Sequence, residues 1–463
     1  MPIKKLKIHF IGIGGIGVSA LAKYYLEKGC EVSGSDLVSS EITDVLGKLG
    51  AKIIIGPHKP ENLPKDIDLV IYSPAVKKDN SELKFARKLG IKCQSYPEAL
   101  GELTKQYFTI AVSGTHGKST TTAMLGILLV KAGLDPTVIV GTKVKEFNDN
   151  NCRVGKSEYL VIEADEHFAS FLNYWPKIII LTTIEADHLD YYKNLGNILK
   201  VFKKYIGHLP EDGVLVANKD ERNIQEIIGD RISRGDLISL YSLKQKEAKK
   251  LKQILKVPGD HNISNALAAL TAARALKIPD KISFKALSEY RGSWRRFEIT
   301  RPVLAVKGGS ARKTIISDYG HHPTEVKVTF KAAREKYPKQ RIWCVFQPHQ
   351  YQRTHYLFKD FVNVFKQALC INKIIITDIY DVAGREEGKI KEKVNSEKLV
   401  KAIKRKDIMY LPKEKILDYL KKNLSETEPR YCGAKVKKRF ISSPFDVLII
   451  MGAGDIYKLI SNF

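Results

Sequence analysis

At 463 residues the chain is too long for one ordinary hydrophobic core, so two or three domains are expected. Hydrophobic residues make up 44% and charged residues 28%, a globular balance with no apolar run near the ~20 residues of a membrane span. The formal charge of +26 attracts anions and raises nucleic acid as a partner class, but the lysines are spread along the chain, with local density only at 244–256 and 435–439 and no recognised motif around them. The charge therefore reads as a solvated surface that also steers polyanionic small substrates, and no nucleic-acid partner is expected.

The N-terminal residues pass directly into a strand at 7–11, without the apolar segment and cleavage site of a signal peptide, so a cytoplasmic location is expected. Gly12-Ile13-Gly14-Gly15-Ile16-Gly17 follows, leading into a helix at 18–28, and Asp36 ends a second strand. Glycines there let the backbone approach a pyrophosphate whose charge rests on the helix N-terminus. The G-x-G-x-x-G spacing alone suggests NAD, yet the same geometry serves any nucleotide diphosphate.

A second turn, Ser113-Gly114-Thr115-His116-Gly117-Lys118-Ser119-Thr120-Thr121, follows a strand at 108–112. It is a shortened phosphate loop: backbone N–H groups cradle phosphates, Lys118 neutralises the terminal ones, and the Ser119 hydroxyl suits Mg²⁺. Two unlike phosphate turns imply two nucleotide ligands and argue against a simple dehydrogenase. Glu163-Ala164-Asp165-Glu166 follows a strand at 159–162, and Thr182 to His188 follows one at 178–181. Both clusters reach the strand ends where open α/β sheets bind ligands, and they suit one or two Mg²⁺ ions.

Strands alternate with helical patterns to the end of the chain, including a helix at 262–276 and strands at 314–317, 342–346, 373–377 and 446–451. The class is α/β with mostly parallel sheets in three domains, 1–105, 106–296 and 297–463. The lysine-rich stretch 242–256 reads as a helix or a surface loop. The six scattered cysteines show no zinc spacing and read as small buried hydrophobes.

These motifs resemble the Mur ligases. His9 to Gly17, Gly114 to Ser119, Glu163 to Glu166 and Ile184 to Asp190 carry the likeness, followed in family order by Pro258 to Ala266, Arg295 to Glu298, Asp318 to Glu325, Phe346 to His349 and Gly452 to Ile456. The resemblance is nearest to the branch that adds L-alanine to UDP-N-acetylmuramate. It implies a Rossmann-like UDP-binding domain, a central P-loop ATPase domain and a C-terminal Rossmann-like domain for the amino acid.

The resemblance further implies that Gly14, Gly15, Ile16 and Gly17 hold the UDP pyrophosphate, with Asp36, His58 and Ser73 as neighbours. ATP would lie on Gly114, Thr115, His116, Gly117, Lys118, Ser119 and Thr120, with Asn262 or Asn265 at the adenine, Arg296 at phosphate and Asp318 at the ribose. Ser119, Glu163 and His188 would hold Mg²⁺, and His321 and Arg353 would surround ATP and the amino acid. The implied reaction passes through an acyl phosphate on the lactyl carboxylate. The chain departs from the family at His167-Phe168, where Ser-Asp is common, at Thr183, where Asn is common, and at Gln350 and His355, which replace arginines. Arg353 is then the expected main anchor for the amino acid. A sister ligase that attaches a preformed peptide and a catalytically silent nucleotide-sugar sensor are the rival readings; the sequence fixes no oligomeric state and assigns no modified lysine.

Overall fold

The computed structural model describes residues 5–306, 309–382, 388–425 and 444–462. Cys432 and the basic stretch 435–439 lie outside the described residues. The described chain forms two compact units, one of 1–187, 191–256 and 262–294, the other of 188–190, 257–261 and 295–463.

The first unit holds two sheets. In the first, β1 (Lys7–Ile11), β2 (Glu31–Asp36), β3 (Lys52–Ile55), β4 (Leu69–Tyr72) and β5 (Lys92–Ser95) are all parallel, in the order β3-β2-β1-β4-β5. The strand order reverses at β1, which opens a crevice at its carboxyl end, and the glycine turn lies there. The second sheet comprises β6 (Phe108–Ser113), β7 (Thr137–Val144), β8 (Asn150–Arg153), β9 (Tyr159–Ala164), β10 (Ile178–Leu181), β11 (Val214–Asn218) and β12 (Ile238–Tyr241). Its order is β12-β11-β10-β6-β9-β7-β8, with β8 alone antiparallel. The Ile178–Leu181 strand is buried throughout, as expected for a strand covered on both faces.

The second unit is built on β13 (Glu298–Thr300), β16 (Thr314–Asp318), β17 (Ile342–Phe346), β18 (Lys373–Ile376), β19 (Ile408–Tyr410) and β20 (Val447–Met451), while β14 (Val303–Val306) and β15 (Gly309–Arg312) form a separate hairpin. The order is β13-β16-β20-β17-β18-β19, with only β13 antiparallel. Phe330, Phe346, Phe361 and Phe365 lead the core on one face of this sheet.

Within the first unit, polar side chains tie the two sheets together. The helix Ile16–Glu27 packs against β7 and β8. Its Lys23, only 7% exposed, donates to Asn150 Oδ1 at 2.8 Å and Asn151 Oδ1 at 3.1 Å, and burial pulls its pKa down. Asn151 in turn donates to the Ile16 carbonyl at 2.5 Å and to Ser19 Oγ at 3.0 Å.

The uncertain stretch at 242–256 contains the helix Lys246–Ile254, which buries Ala248 and Leu251 and leaves its lysines to solvent. The expectation for the cysteines holds for Cys152 and Cys344, which are buried. Cys30, Cys93 and Cys370 are half-buried free thiols at the ends or edge of elements, where packing covers one side only.

Behind the glycine turn lies a polar network that sequence reading missed. Glu82 is fully buried, accepting from Ser35 Oγ at 2.6 Å and Asn62 Nδ2 at 2.5 Å and pairing with His9 Nε2 at 3.4 Å and His58 Nδ1 at 3.3 Å. Burial pushes the Glu82 carboxyl up, but the bonds from His9, Ser35 and Asn62 outweigh it and hold the group at about 2, below its ordinary 4.5. The stability this supplies is complete above pH 4.5 and is lost as pH falls through the folded value near 2. Glu82→Gln should therefore lower unfolding stability at pH 7 by about 1–3 kcal/mol, the penalty for a stranded buried polar group. The gap from wild type should shrink as pH falls from 4.5 toward 2. Urea unfolding of both proteins across that range measures it; a gap independent of pH would contradict the network's role.

Candidate active site

The glycine turn is braced from three sides. Gly12 has φ +76° and, with Ile13, donates to the Ser35 carbonyl at 2.8 and 3.1 Å. A Cβ at Gly12 would come within 3.0 Å of Ser73 Cβ, so Ser73 forms the floor of the turn. Asp36 Oδ2 accepts the Gly14 N–H at 2.8 Å, which makes this acid a brace of the turn itself. His58 stands in the Glu82 network through Ser35 and Glu82, its side chain 15% exposed. Gly15 differs from its neighbours: its φ is −63°, and a Cβ there would meet nothing closer than the Gly12 carbonyl oxygen at 3.5 Å. The protein's own packing thus leaves room at Gly15, whereas Gly17 lies against the Tyr96 ring, 2.9 Å from where its Cβ would stand.

The phosphate loop is scaffolded by the segment after β10. Thr115 N–H donates to the Thr183 carbonyl at 2.8 Å, His116 N–H to Thr183 Oγ1 at 2.9 Å, and Thr182 Oγ1 to the His116 carbonyl at 2.5 Å. Thr183, where the family commonly has Asn, thus supplies its hydroxyl to the loop backbone. Gly114 (φ +137°) admits no side chain, because Thr182 Oγ1 and the Thr183 backbone fill the place of a Cβ. Gly117 (φ +83°) caps the helix Lys118–Lys131 and lies against Asn265 Oδ1. Asn265 and Asn262, one turn apart on the helix Asp260–Ala275, are both buried, as is Thr120.

Lys118 Nζ donates to the Gly114 carbonyl at 2.7 Å and to Glu166 Oε2 at 2.6 Å, with Asp165 Oδ1 at 3.7 Å. Burial opposes its charge, but Glu166, Asp165 and Glu163 together push its pKa up and keep it an ammonium. Glu166, itself 3% exposed, is the counter-charge that sequence reading quoted in a motif without giving it a role. Ser119 Oγ donates to Glu163 Oε1 at 2.9 Å, and the other carboxylate oxygen accepts the Gly141 N–H at 2.7 Å. At the family's Ser-Asp position, His167 and Phe168 stack at 4.0 Å; Phe168 holds φ +54°, a strained region for a bulky residue, and remains 46% exposed. His188 (φ +51°) belongs to the second unit, where the adjoining Leu189 packs on the core of the third sheet.

In the second unit, Asp318 accepts the Phe297 and Gly320 N–H groups, each at 2.8 Å, and burial pushes its carboxyl up to about 6. Arg296 lies 5.0 Å from the Tyr319 ring centroid and 3.8 Å from Glu325. Arg295, given no role from sequence, is 3% exposed and sits over Tyr319 and Tyr457 while donating to the Gly452 and Gly454 carbonyls. His321 N–H donates to Glu325 Oε2 at 2.8 Å, and its ring lies 5.7 Å from that of His349. Arg353, 8% exposed, donates to His349 Nδ1 and Gln350 Oε1, both at 3.2 Å. Gln350 (φ +70°) therefore orients the arginine with its amide oxygen, which an arginine at that position could not do.

Three family models match in chain order: "Mur ligase family, catalytic domain" at residues 7–108, "Mur ligase middle domain" at 112–273 and "Mur ligase, glutamate ligase domain" at 295–454. The chain is similar to UDP-N-acetylmuramate–L-alanine ligase of Acetivibrio thermocellus, with 41% identity covering 99% of this chain and 95% of the relative. It is also similar to the Clostridium tetani enzyme of the same name, with 40% identity covering 98% and 96%. Among solved structures, UDP-N-acetylmuramate-alanine ligase from Thermotoga maritima superposes with a TM-score of 0.74 at 26% identity, covering 99% and 98% of the two chains. A murein peptide ligase from Psychrobacter arcticus shares the fold, with a TM-score of 0.68 at 21% identity and the same coverage. All three models fall in order on the sheets described above and the relatives agree over nearly the full length, so the chain belongs to the Mur ligase family.

Proposed function

We propose that the protein joins L-alanine to UDP-N-acetylmuramate, converting ATP to ADP and phosphate, in the synthesis of peptidoglycan precursor. The observation that carries this reading is the presence, in one compact unit, of two differently built phosphate-binding turns tied together through Asn151 and Lys23. One suits the pyrophosphate of the UDP-sugar and the other the phosphates of ATP. Domain boundaries near residues 105 and 296 accompany the reading. No described helix is long and apolar enough to cross a membrane, and a reaction fed by ATP accords with a cytoplasmic site.

An unactivated carboxylate has no usable leaving group. The lactyl carboxylate therefore attacks the γ-phosphorus, ADP leaves, and the resulting acyl phosphate is attacked by the alanine amine with release of phosphate. Lys118 offsets the repulsion between carboxylate and phosphate, and the N–H groups at the start of the helix Lys118–Lys131 hold the phosphates in place. Ser119 and Glu163, a hydroxyl and a carboxylate 2.9 Å apart beside the loop, are hard oxygen donors that would hold Mg²⁺, and the family resemblance assigns His188 to the same ion. When bound, Mg²⁺ supplies positive charge to the phosphate oxygens. Asn262 or Asn265 is assigned to adenine, Arg296 and Asp318 to the rest of the nucleotide, and His321 and Arg353 to the amino-acid side. A silent nucleotide-sugar sensor would have no use for the Lys118–Glu166 and Ser119–Glu163 pairs. Product masses from UDP-N-acetylmuramate, ATP and an equimolar mixture of L-alanine, glycine, L-serine and a wall tripeptide test the whole reading: alanine addition should dominate, and tripeptide addition would transfer the chain to the peptide-adding branch.

Lys118→Ala should lower turnover by about 10²–10³, the range for one lost electrostatic contact to a transition state. Near-normal ligation by the folded variant would overturn the loop's assignment.

Gly15→Ala should fold with unchanged thermal stability, because a Cβ is accommodated there, and should weaken UDP-N-acetylmuramate binding while sparing ATP. Calorimetric titration with each nucleotide separates the two; equal affinity for the sugar nucleotide would remove the turn from its site.

Arg353→Ala should raise the KM for L-alanine by about 10-fold or more, the size of a lost charge-assisted hydrogen bond, and change that for ATP by less than about twofold. Gln350→Ala should act in the same direction by a smaller factor, since it frees Arg353 without removing it. Initial rates at varied alanine and varied ATP decide; parallel changes in both constants would contradict the anchor assignment.

A further inference from the structure

Tyr96 lies beside the glycine turn, within the field of the carboxylates Glu163 and Asp165. It opens the helix Tyr96–Thr104, whose first turn is fixed by the Ser95–Glu98 capping box and Pro97. Its ring and hydroxyl lie against Gly17 in the first turn of the helix that receives the pyrophosphate, with the hydroxyl 3.1 Å from where a Gly17 Cβ would stand. The far end of the helix Tyr96–Thr104 packs on the segment that follows Glu166: Gly101 meets the Asn173 carbonyl, and Thr104 Oγ1 accepts the Trp175 N–H at 3.0 Å. The helix thus spans from the glycine turn to the acidic segment beside the phosphate loop. The carboxylates of Glu163 and Asp165 act on the Tyr96 phenol, and burial followed by these two charges drives its pKa up. Among the described residues the hydroxyl has no hydrogen-bond partner, although the residue is half-buried.

We infer that the Tyr96 hydroxyl donates a hydrogen bond to the lactyl carboxylate of the acceptor sugar, holding it between the pyrophosphate turn and the γ-phosphate. The inference rests on the reading of the substrate as UDP-N-acetylmuramate. A sugar anchored by its pyrophosphate at Gly12–Gly17 must carry its carboxylate across this gap to reach Lys118. The approach brings a third anion near Glu163 and Asp165. A phenol held in place by its helix is a neutral donor that binds the anion without adding another charge to the site. One carboxylate oxygen forms the bond to phosphorus as the bond to the ADP oxygen breaks. The other stays with Tyr96, and it is the oxygen that carries negative charge when the amine adds, before phosphate departs.

Tyr96→Phe removes the hydroxyl alone and keeps the ring on Gly17. It should bind UDP-N-acetylmuramate about 10–100-fold more weakly, the size of one charge-assisted bond, and turn over more slowly at saturation. Its affinity for UDP-N-acetylglucosamine, which lacks the lactyl group, and its thermal unfolding should match wild type. Equal weakening toward both sugar nucleotides would place the effect at the pyrophosphate turn and overturn the inference, as would unchanged affinity and turnover with UDP-N-acetylmuramate. Failure of the wild-type protein to bind UDP-N-acetylmuramate would overturn the functional reading itself, and the inference with it.

Discussion

The bond from Asn151 Nδ2 to the carbonyl of Ile16 ties the antiparallel edge strand of one sheet to the first helical turn after the glycine turn of another. Ser19 Oγ and the buried ammonium of Lys23 extend the same grip along one face of that helix. Two nucleotides cooperate in one reaction only if their reacting groups meet at a fixed separation, since a misplacement of an ångström is enough to slow a transfer. Polar bonds buried between the sheets serve this better than apolar contact alone, because they fix direction as well as proximity. The burial that lowers the pKa of Lys23 is offset by two amide oxygens, and among the described residues no carboxylate is bonded to it.

Charge at the phosphate loop follows the same economy. Lys118 is buried and already satisfied by Glu166 and the Gly114 carbonyl, so on the proposed reading a phosphate entering the loop would exchange one set of partners for another. A bare buried ammonium would be costly, and a buried pair remains tolerable while each member keeps its bonds. The loop's shape is set from outside by Thr182 and Thr183, which hold backbone atoms of Thr115 and His116. Thr183 shows how a departure from the family pattern is absorbed: the bond it accepts needs an oxygen at that point, which a hydroxyl provides as well as an amide.

Both turns, the α/β class and the three-part order were legible because each depends on neighbours within about ten residues. Glycines, a strand before and a helix after are local signals. What escaped reading depends on partners far away in sequence. Glu82 is named in no motif, and its meaning comes from His9, Ser35, His58 and Asn62, which the parallel order of the first sheet gathers beside it. Asn151 and Tyr96 likewise gain their roles from the packing of one layer on another. Asp36 is a substrate neighbour by family resemblance, yet resemblance could not reveal that its carboxylate closes the glycine turn through Gly14. Arg295 and Arg296 adjoin in sequence and both lie over the Tyr319 ring, yet Arg295 pins the glycine loop after β20 while Arg296 pairs with Glu325, a division only side-chain placement makes visible.

The replaced arginines belong to the same account. A carboxylate is best gripped by a guanidinium whose own position is fixed, because a long side chain left free loses rotamer entropy on binding. Arg353 is held by His349 and Gln350, and His349 is itself stacked on Tyr380 with ring planes 8° apart and bridged to it along the backbone. A second arginine at position 350 would offer more charge to a ligand but would remove an acceptor and set like charges side by side. Gln350 exchanges a direct grip for order in the remaining one, and its left-handed backbone lets Thr354 and the following helix accept that arrangement, with Thr354 Oγ1 bonded to the Gln350 carbonyl at 2.8 Å. Under the proposed assignment, a single pre-set arginine would suffice for a substrate whose side chain is one methyl group, where the carboxylate and amine carry nearly all the directional contacts.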